Sequence, residues 1–480
     1  MTKPRNPHSA TTRKAPKVQR AEAPFERSRG ASLTKKRVEK KDSSVHGSGA
    51  AEESKAAAPP RRVAGAIVNR RAAGRLRSGH LWVYASDIES IDFSNVESDY
   101  PAAANAASYL LPVADSRGLL LGTALYSPSS QIALRLVSRE AIDEQAWLAL
   151  LEARLRSAIG RRIPLLKGDK AETDSCRLCF SEADELPGLI ADKYSDLVIV
   201  QLLVKGLDSP PVRELCVRVL REELEPAAIL ERPDPRMREL EGLSAPATAP
   251  LWARDPRQPK TITQFRLNGL KFYFDADAGQ KTGAFLDQSE NYEWARHWAW
   301  ILSPGGRALD VCCYQGGFAL HLARVSKTVT GVDASRASLE VAERNLDLNR
   351  NQLQAAVDWV EGDAFQILRD WSDSGEKFDT IVLDPPAFAK TQRAVEGALR
   401  GYKELNLRAL KMLRPGGLLV TCTCSHHVSW AEFEATVASA AADAHRRVRL
   451  LERRGAAPDH PVIMNLPETE YLKCLVLEVE

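Results

Sequence analysis

The chain has 480 residues, of which 44% are hydrophobic, 27% charged and 6% aromatic. This is a globular composition with room for two or three domains, and it excludes a collagen, a coiled coil and a wholly disordered chain. No apolar run reaches the roughly 20 residues that cross a bilayer, and the N-terminus lacks the apolar core of a secretory signal. We therefore expect a cytoplasmic protein that does not enter a membrane.

The formal net charge of +3 is unevenly distributed along the chain. Residues 1–62 contain 16 Lys and Arg against 6 Asp and Glu, a surplus of +10 that leaves −7 for the rest. With almost no aromatic residues, this segment cannot bury enough apolar surface to fold, so we predict a disordered basic tail. It could steer the encounter with a polyanion, or serve only as a solubilising tail.

Residues 63–140 read as short strands and turns, which predicts a small β-rich domain. Basic residues precede an aromatic pair in this region: Arg70, Arg71, Arg75, Arg77, Trp82 and Tyr84. The cations could bind the phosphates of an RNA backbone, and the aromatic rings could stack on a base. The alternative is a solvated basic edge over a core tryptophan.

Residues 141–265 mix helical and strand patterns, which predicts a middle α+β domain followed by a Pro-rich linker. The segment 176–204 reads as two strands joined by turns. Cys176 and Cys179 form one Cys-x-x-Cys, but a structural zinc site needs four ligands and no second pair stands at a suitable spacing. We expect buried or incidental thiols and no metal.

Residues 266–480 alternate strand and helix patterns, which predicts an α/β domain with a parallel sheet covered on both faces. Ligands of such sheets bind at the carboxyl ends of the strands. After the first strand comes a turn with Asp310, Gly316 and Gly317, whereas Asp333 and Asp363 follow the second and third strands. Acids in this series match the way class I methyltransferases hold S-adenosylmethionine (SAM), although each Asp alone could be a turn former or helix cap.

The fourth strand ends in Asp384-Pro385-Pro386-Ala-Phe388, which would project the acid into the site and offer Phe388 for base stacking. The fifth strand carries Cys422 and Cys424 on one side, with Cys424 nearer its carboxyl end. A Cys424 thiolate could attack carbon 6 of a cytosine whose nitrogen 3 is protonated by Asp384, so that carbon 5 takes a methyl group from SAM. A buried strand cysteine of no chemical role is the alternative.

Two other functions fit parts of the pattern. An acid followed by two prolines and an aromatic residue also serves methylation of an exocyclic base nitrogen, which needs no thiol. A non-catalytic RNA-binding assembly factor would use the β-rich domain and the tail.

These motifs resemble the bacterial 23S ribosomal RNA large-subunit cytosine-5 methyltransferases. The matching segments run in order from about residue 63 to the end: GHLWVY, GTALYSPSSQIALR, SEADELPGLIADKY, ERPD, GQKTGAFLDQ, YQGGFAL, RGYKELN, TCS, DHPVIMNLPE and EYLKCLVLEV. The resemblance implies an N-terminal PUA domain, a middle α/β domain and a class I (Rossmann-like) SAM methyltransferase domain. Its partner would be 23S rRNA or a large-subunit precursor, and a homodimer is one expected assembly.

The resemblance also assigns roles to residues. It implies that Gln280, Lys281, Thr282, Gly283 and Asp287 help to form the cofactor pocket, with Asp310, Gly316, Gly317, Asp333, Asp363 and Asp384 around SAM. It points to Cys424 as the nucleophile. The chain departs from the family at Ser289 and Tyr292, where arginines are common, and at Cys312 and Gln315, where an aromatic residue and Thr are usual.

Overall fold

The computed structural model describes residues 65–93, 109–166, 172–244, 249–277 and 283–480. The predicted tail, residues 1–62, lies outside them. Within them, the first sheet has six strands in the order β2-β6-β5-β4-β1-β3, antiparallel except for the β1–β4 pair. These strands are β1 (Gly65–Val68), β2 (Trp82–Tyr84), β3 (Ile88–Asp92), β4 (Tyr109–Asp115), β5 (Leu120–Tyr126) and β6 (Ile132–Ser138).

A helix interrupts this sheet where the sequence predicted only strands and turns. Helix α1 (Arg70–Arg77) begins after Asn69, whose side chain accepts a hydrogen bond from the Ala72 amide at 2.9 Å. Ala72, Ala73 and Leu76 are buried, and this helical spacing places one apolar stripe against the sheet. Because the helix is short and contains four arginines, its apolar stripe could not be recognised in the sequence.

The middle region forms a second sheet, with the strand order β11-β10-β9-β8-β7. Its elements are α2 (Glu144–Leu166), β7 (Ser175–Phe180), β8 (Leu189–Tyr194), β9 (Leu197–Leu202), α3 (Pro210–Leu224), β10 (Ala228–Glu231), α4 (Pro235–Glu241) and β11 (Trp252–Ala253). The prediction of two strands over residues 176–204 was wrong, because Ser195 adopts a left-handed conformation (φ 53°) and splits the apolar run into β8 and β9. Cys176 and Cys179 lie buried on β7.

A two-stranded hairpin leads into the last region. Strands β12 (Ile262–Leu267) and β13 (Leu270–Asp275) are joined by Asn268 and Gly269, both at positive φ, as a two-residue hairpin turn requires. Phe265 and Phe272 belong to the same buried cluster as Tyr292 and Phe318 further along the chain. The hairpin therefore forms part of one core with the helices that follow it.

The C-terminal sheet has seven strands in the order β16-β15-β14-β17-β18-β20-β19. Its strands are β14 (Arg307–Val311), β15 (Thr328–Asp333), β16 (Ala356–Glu361), β17 (Phe378–Leu383), β18 (Leu413–Thr423), β19 (Val448–Arg454) and β20 (Lys473–Val479). Its helices are α5 (Ser289–Leu302), α6 (Gly317–Leu322), α7 (Arg336–Asn349), α8 (Ala364–Ser374), α9 (Val395–Met412) and α10 (Trp430–Asp443).

The sheet is mixed, not wholly parallel as predicted. Strands β14 to β18 are parallel, but β20 runs antiparallel to both β18 and β19. Because no α-helix separates β19 from β20, the chain returns without the helical crossover that parallel neighbours use. The antiparallel register places Lys473 opposite Thr423 and Cys474 opposite Cys422. Among the described residues, no helix is long and apolar enough to cross a membrane.

Candidate active site

A cavity of about 640 Å³ opens at the carboxyl ends of β14 to β18. It is lined mainly by apolar and aromatic side chains, with a few polar groups among them. Six residues predicted for the site line this cavity: Asp287, Gly317, Asp333, Asp363, Asp384 and Cys424. The fold therefore brings together residues that are up to 137 positions apart in the numbering of the sequence.

The turn after β14 is built by close packing. Gly316 has φ +84°, and a side chain at Gly317 would place its Cβ 2.5 Å from the Tyr292 ring. Asp310 lies fully buried beneath the turn, where its Oδ2 accepts a hydrogen bond from the Ala319 amide at 2.8 Å. Burial raises the pKa of Asp310 well above its ordinary value. Asp310 and Gly316 shape the turn, whereas Gly317 is exposed to the cavity.

Asp333 and Asp363 are fixed by local backbone amides. Asp333 accepts from the Tyr314 amide at 2.9 Å through Oδ2 and from the Ser335 amide at 2.8 Å through Oδ1. Asp363 caps α8 by accepting from the Gln366 amide at 3.0 Å. Each carboxylate therefore has the cap or turn role that was its alternative interpretation, and each also lines the cavity.

Asp384 is held by a glutamine that sequence reasoning gave no role. Gln288 is buried, donates from Nε2 to Asp384 Oδ1 at 3.0 Å, and accepts from Asn291 Nδ2 at 2.7 Å through Oε1. The contact to Asn291 fixes which end of the Gln288 amide faces the carboxylate. The signal was present in the sequence, since Gln288 ends the quoted segment GQKTGAFLDQ.

Cys424 lies in the cavity wall next to the Asp384 loop, with its Sγ 3.9 Å from the Pro385 carbonyl oxygen. Both neighbours of Cys424 are tied to Tyr402 on α9. The Thr423 hydroxyl donates to the Tyr402 oxygen at 2.8 Å, and the Ser425 and Tyr402 oxygens are also 2.8 Å apart. Ser425 Oγ accepts from the Ala389 amide at 3.1 Å, which joins the loop after β18 to the loop after β17.

The segment 278–282 lies outside the described residues, and with it the predicted Gln280, Lys281 and Thr282. Gly283 has φ +138°, and a Cβ there would lie 2.2 Å from the Phe274 ring. Its carbonyl oxygen accepts from the Tyr314 hydroxyl at 2.9 Å. Gly283 thus contacts the turn after β14 from outside the cavity.

Asp287 is a buried residue in the lining of the cavity. It is 8% exposed, and its Oδ2 accepts a hydrogen bond from the Tyr471 hydroxyl. Its Oδ1 has no hydrogen-bond partner among the described residues. Because a buried carboxylate oxygen without a partner is costly, Asp287 is suited to an N–H donor of a ligand.

The structure places the four residues that depart from the family pattern. Tyr292 is buried against Phe318 and His321, with ring centroids 4.7 and 5.2 Å away. Ser289 begins α5, and its carbonyl oxygen accepts from Asn268 Nδ2 at 2.7 Å. Cys312 and Gln315 line the cavity.

The predicted basic edge of the first domain divides into two classes. Arg75 and Arg77 pair with Asp87 and Asp115 at 2.5 and 2.6 Å, and Trp82 donates to Glu182 at 2.9 Å. By contrast, Arg70 and Arg71 are exposed on α1. The contacts of Arg75, Arg77 and Trp82 therefore serve the fold, although Arg77 is also exposed.

Comparison with known proteins gives consistent results. Residues 179–475 match the model for S-adenosylmethionine-dependent methyltransferases, and residues 66–139 match a PUA-like domain. Ribosomal RNA large subunit methyltransferase I of Aeromonas salmonicida is 35% identical over 83% of this chain and 95% of its own length. The same enzyme of Shewanella denitrificans is 36% identical over 85% of this chain and 98% of its own length.

A solved methyltransferase complexed with SAH shares the fold at a TM-score of 0.69 and 18% identity, covering 86% of this chain and 99% of that one. A solved SAM-dependent methyltransferase from Streptococcus mutans has a TM-score of 0.68 and 17% sequence identity, and it covers 86% of this chain and 99% of its own. The predicted class I methyltransferase domain and the N-terminal PUA-like domain are thereby confirmed.

Proposed function

The chain belongs to the S-adenosylmethionine-dependent methyltransferases, in the group of ribosomal RNA large subunit methyltransferase I, and we propose that it forms 5-methylcytosine in large-subunit rRNA through Cys424. The observation that carries this proposal is the position of Cys424. Its sulfur lines the cavity that also contains Asp333 and Asp384, and it contacts the loop that carries Asp384. A large-subunit rRNA substrate would place the enzyme in the cytoplasm, and a homodimer stays a prediction.

The residues present fit SAM, which supplies an electrophilic methyl group when bound. The cavity volume lies within the range of roughly 300–1,000 Å³ that is typical of small-molecule sites. Asp333 and Asp363 stand at successive strand ends, where a carboxylate can accept hydrogen bonds from ribose hydroxyls and an adenine amine. Asp287 adds a carboxylate oxygen that accepts no hydrogen bond from the described residues.

The chain's own groups account for the chemistry on the cytosine. The Cys424 thiolate forms a bond to carbon 6, and Asp384 gives a proton to ring nitrogen 3 as electrons move from the carbon 5–carbon 6 double bond. Carbon 5 is then electron-rich enough to take a methyl group. Transfer of the carbon 5 proton to water, return of the nitrogen 3 proton to the Asp384 carboxylate and departure of the Cys424 sulfur as a thiolate restore the ring. Gln288 keeps the Asp384 carboxyl aimed during these steps.

Methylation of RNA from cells that lack the protein tests the proposal. We expect Cys424→Ala to abolish methyl transfer while SAM binding, measured by calorimetry, is retained. Cys216→Ala is the matched control, since this buried thiol lies on α3 and outside the cavity lining. Mapping of methylated cytosines should show one target that depends on Cys424. Retained turnover in Cys424→Ala would contradict the proposal and favour methylation of an exocyclic amine.

A further inference from the structure

The rim of the active-site cavity carries a cation that the proposed chemistry does not use. Four acidic side chains line the cavity: Asp287, Asp333, Asp363 and Asp384. Among the lining residues that the structure describes, Lys390 is the only Lys or Arg. Because Lys390 is also exposed, its ammonium can meet a ligand that approaches the cavity from solvent.

Lys390 begins an exposed loop that leads into α9. Residues 390–393, Lys-Thr-Gln-Arg, are all exposed. In the described part of the chain, no carboxylate oxygen lies within 4.0 Å of the side-chain nitrogens of Lys390 or Arg393. By contrast, the next cation along the chain that is not on this loop, Arg400, pairs with Glu396 at 2.7 Å. The two loop cations can therefore bind an anion from outside the chain.

The backbone before this loop is tied to the nucleophile. Ala389, which precedes Lys390, is buried, and its amide donates to Ser425 Oγ at 3.1 Å. Ser425 follows Cys424, and its oxygen lies 2.8 Å from the Tyr402 oxygen. The backbone at Lys390 is therefore anchored to the loop that carries Cys424, although the Lys390 side chain faces solvent.

An RNA substrate brings negative charge to this rim. A cytosine that leaves the stack and reaches Cys424 remains joined to its sugar and to the phosphates on either side. Those phosphates stay outside the cavity, and the acids that line it repel them. Contacts from Lys and Arg to phosphates fix the position of a nucleic acid without reading its sequence. A lysine at the rim, on a backbone anchored to the nucleophile loop, is suited to this task.

We propose that Lys390 is a positioning residue that binds a backbone phosphate beside the target cytosine, with Arg393 as a second and weaker contact. The inference rests on the proposed function, since it assumes that a cytosine reaches Cys424. The carboxylate of SAM is the competing anion. Because Lys390 and Arg393 are both exposed on one loop, a polyanion in solvent fits them better than a single carboxylate enclosed in the cavity.

The salt dependence of RNA binding by the full-length protein, measured without SAM on a fragment of large-subunit rRNA that the protein binds, tests this inference. We expect Lys390→Gln to weaken binding by about tenfold at 50 mM salt. The slope of log affinity against log salt should fall by about 0.7, the value for one phosphate of a single strand. Lys390→Arg keeps the charge and should stay near the wild type. Lys411→Gln is the matched control, since this exposed lysine lies in the last turn of α9 and outside the cavity lining.

Two further measurements locate the contact. In steady-state methylation, Lys390→Gln should raise the KM for RNA while kcat and the affinity for SAM stay within about twofold of the wild type. A neutral methylphosphonate next to the methylated cytosine should weaken binding to the wild type as much as Lys390→Gln does. The same methylphosphonate should have no further effect on Lys390→Gln, because the contact is already lost.

Two results would overturn the inference, with the thermal melting temperature of each variant as the check on folding. Wild-type RNA affinity and salt slope in Lys390→Gln would exclude a phosphate contact. Loss of SAM affinity with unchanged RNA binding would assign the ammonium to the carboxylate of SAM. Methylation through Cys424 together with an unaltered salt slope would remove this inference and leave the proposed function standing. A reduced slope without cytosine methylation would leave the phosphate contact standing and remove the proposed function.

Discussion

The active-site cavity has two walls that are organised in different ways. The cofactor wall contains the turns after β14 and β15, and the nucleophile wall contains Cys424 and the loop that carries Asp384. On the cofactor wall, Asp310 and Asp333 accept hydrogen bonds from backbone amides at most nineteen residues away in the chain. On the nucleophile wall, Cys424 is positioned through Tyr402, a side chain on α9, and through contacts with the Asp384 loop. The cofactor wall is thus a property of local strand-end turns, whereas the nucleophile wall depends on contacts between distant segments.

This difference has a consequence for substitutions. A change on the cofactor wall should affect mainly SAM affinity, because Asp333 lines the cavity and Asp310 shapes the turn beside it. A change on the nucleophile wall should affect mainly the rate of the chemical step, because a small displacement of the sulfur spoils its approach to carbon 6. The following variants test this division.

Asp384→Asn should have the largest effect on the rate. The amide can still accept from Gln288, but it cannot give a proton to nitrogen 3, so single-turnover methylation should fall by about 10²–10⁴-fold at saturating SAM. SAM affinity should change little. Asp370→Asn, on the solvent side of α8, is the control. A variant within a few-fold of the wild-type rate would show that Asp384 transfers no proton.

Tyr402→Phe should have an intermediate effect. It removes the hydroxyl that contacts both Thr423 and Ser425 while keeping the ring against Phe388 and Phe433. We expect kcat to fall by about 10–100-fold, with the KM for SAM nearly unchanged. Tyr273→Phe on β13 is the matched control. A rise in the KM for SAM without a change in kcat would contradict the division between the two walls.

His321, which is fully buried on α6, should make folding stability depend on pH. Burial lowers its pKa to about 4, with Gly317 accepting from its ring. The unfolded chain takes up the proton at about pH 6.5, so this contribution is complete above that pH and is lost as pH falls towards 4. The loss should be about 2 kcal/mol between pH 7.5 and 5 in urea unfolding. His321→Gln should flatten the dependence, and an unaltered slope would show that His321 does not titrate as proposed.

Deletion of residues 1–62 should have the smallest effect. Because their surplus charge is +10, the deletion should weaken RNA binding by about tenfold at 50 mM salt and by less at 200 mM. The single-turnover rate should stay unchanged, since the tail lies outside the sequence that matches the family models. A tail with its basic residues changed to Gln should behave as the deletion does. A slower chemical step would assign the tail a role beyond electrostatics.

The division between local turns and contacts of distant segments also explains which parts of the structure could be predicted from the sequence. The strands that end near Asp333 and Asp384, and the turn with Gly316 and Gly317, follow from local apolar runs and turn residues. The sequence pattern missed α1, since its apolar stripe is only three residues wide. It also missed the antiparallel strand β20, whose pairing is decided by how the C-terminal segment returns to the sheet.

The unpredicted parts of the site are long-range contacts. Gln288 reaches Asp384 across 96 residues, and Tyr402 reaches Ser425 across 23. Local patterns carry no information on such pairs, so a buried Gln and a buried Tyr look like ordinary core residues until the fold joins them. The proposed role of Cys424 came from its strand position together with the family resemblance.

Incubation of the protein with RNA that contains 5-fluorocytidine tests the central claim most directly. Fluorine at carbon 5 cannot leave as a proton, so the sulfur–carbon 6 bond should persist after methyl transfer. We predict a covalent protein–RNA complex in the presence of SAM, with the RNA attached to Cys424, and no complex with Cys424→Ala. The absence of a complex in the wild type, or attachment to another cysteine such as Cys312, would contradict the account.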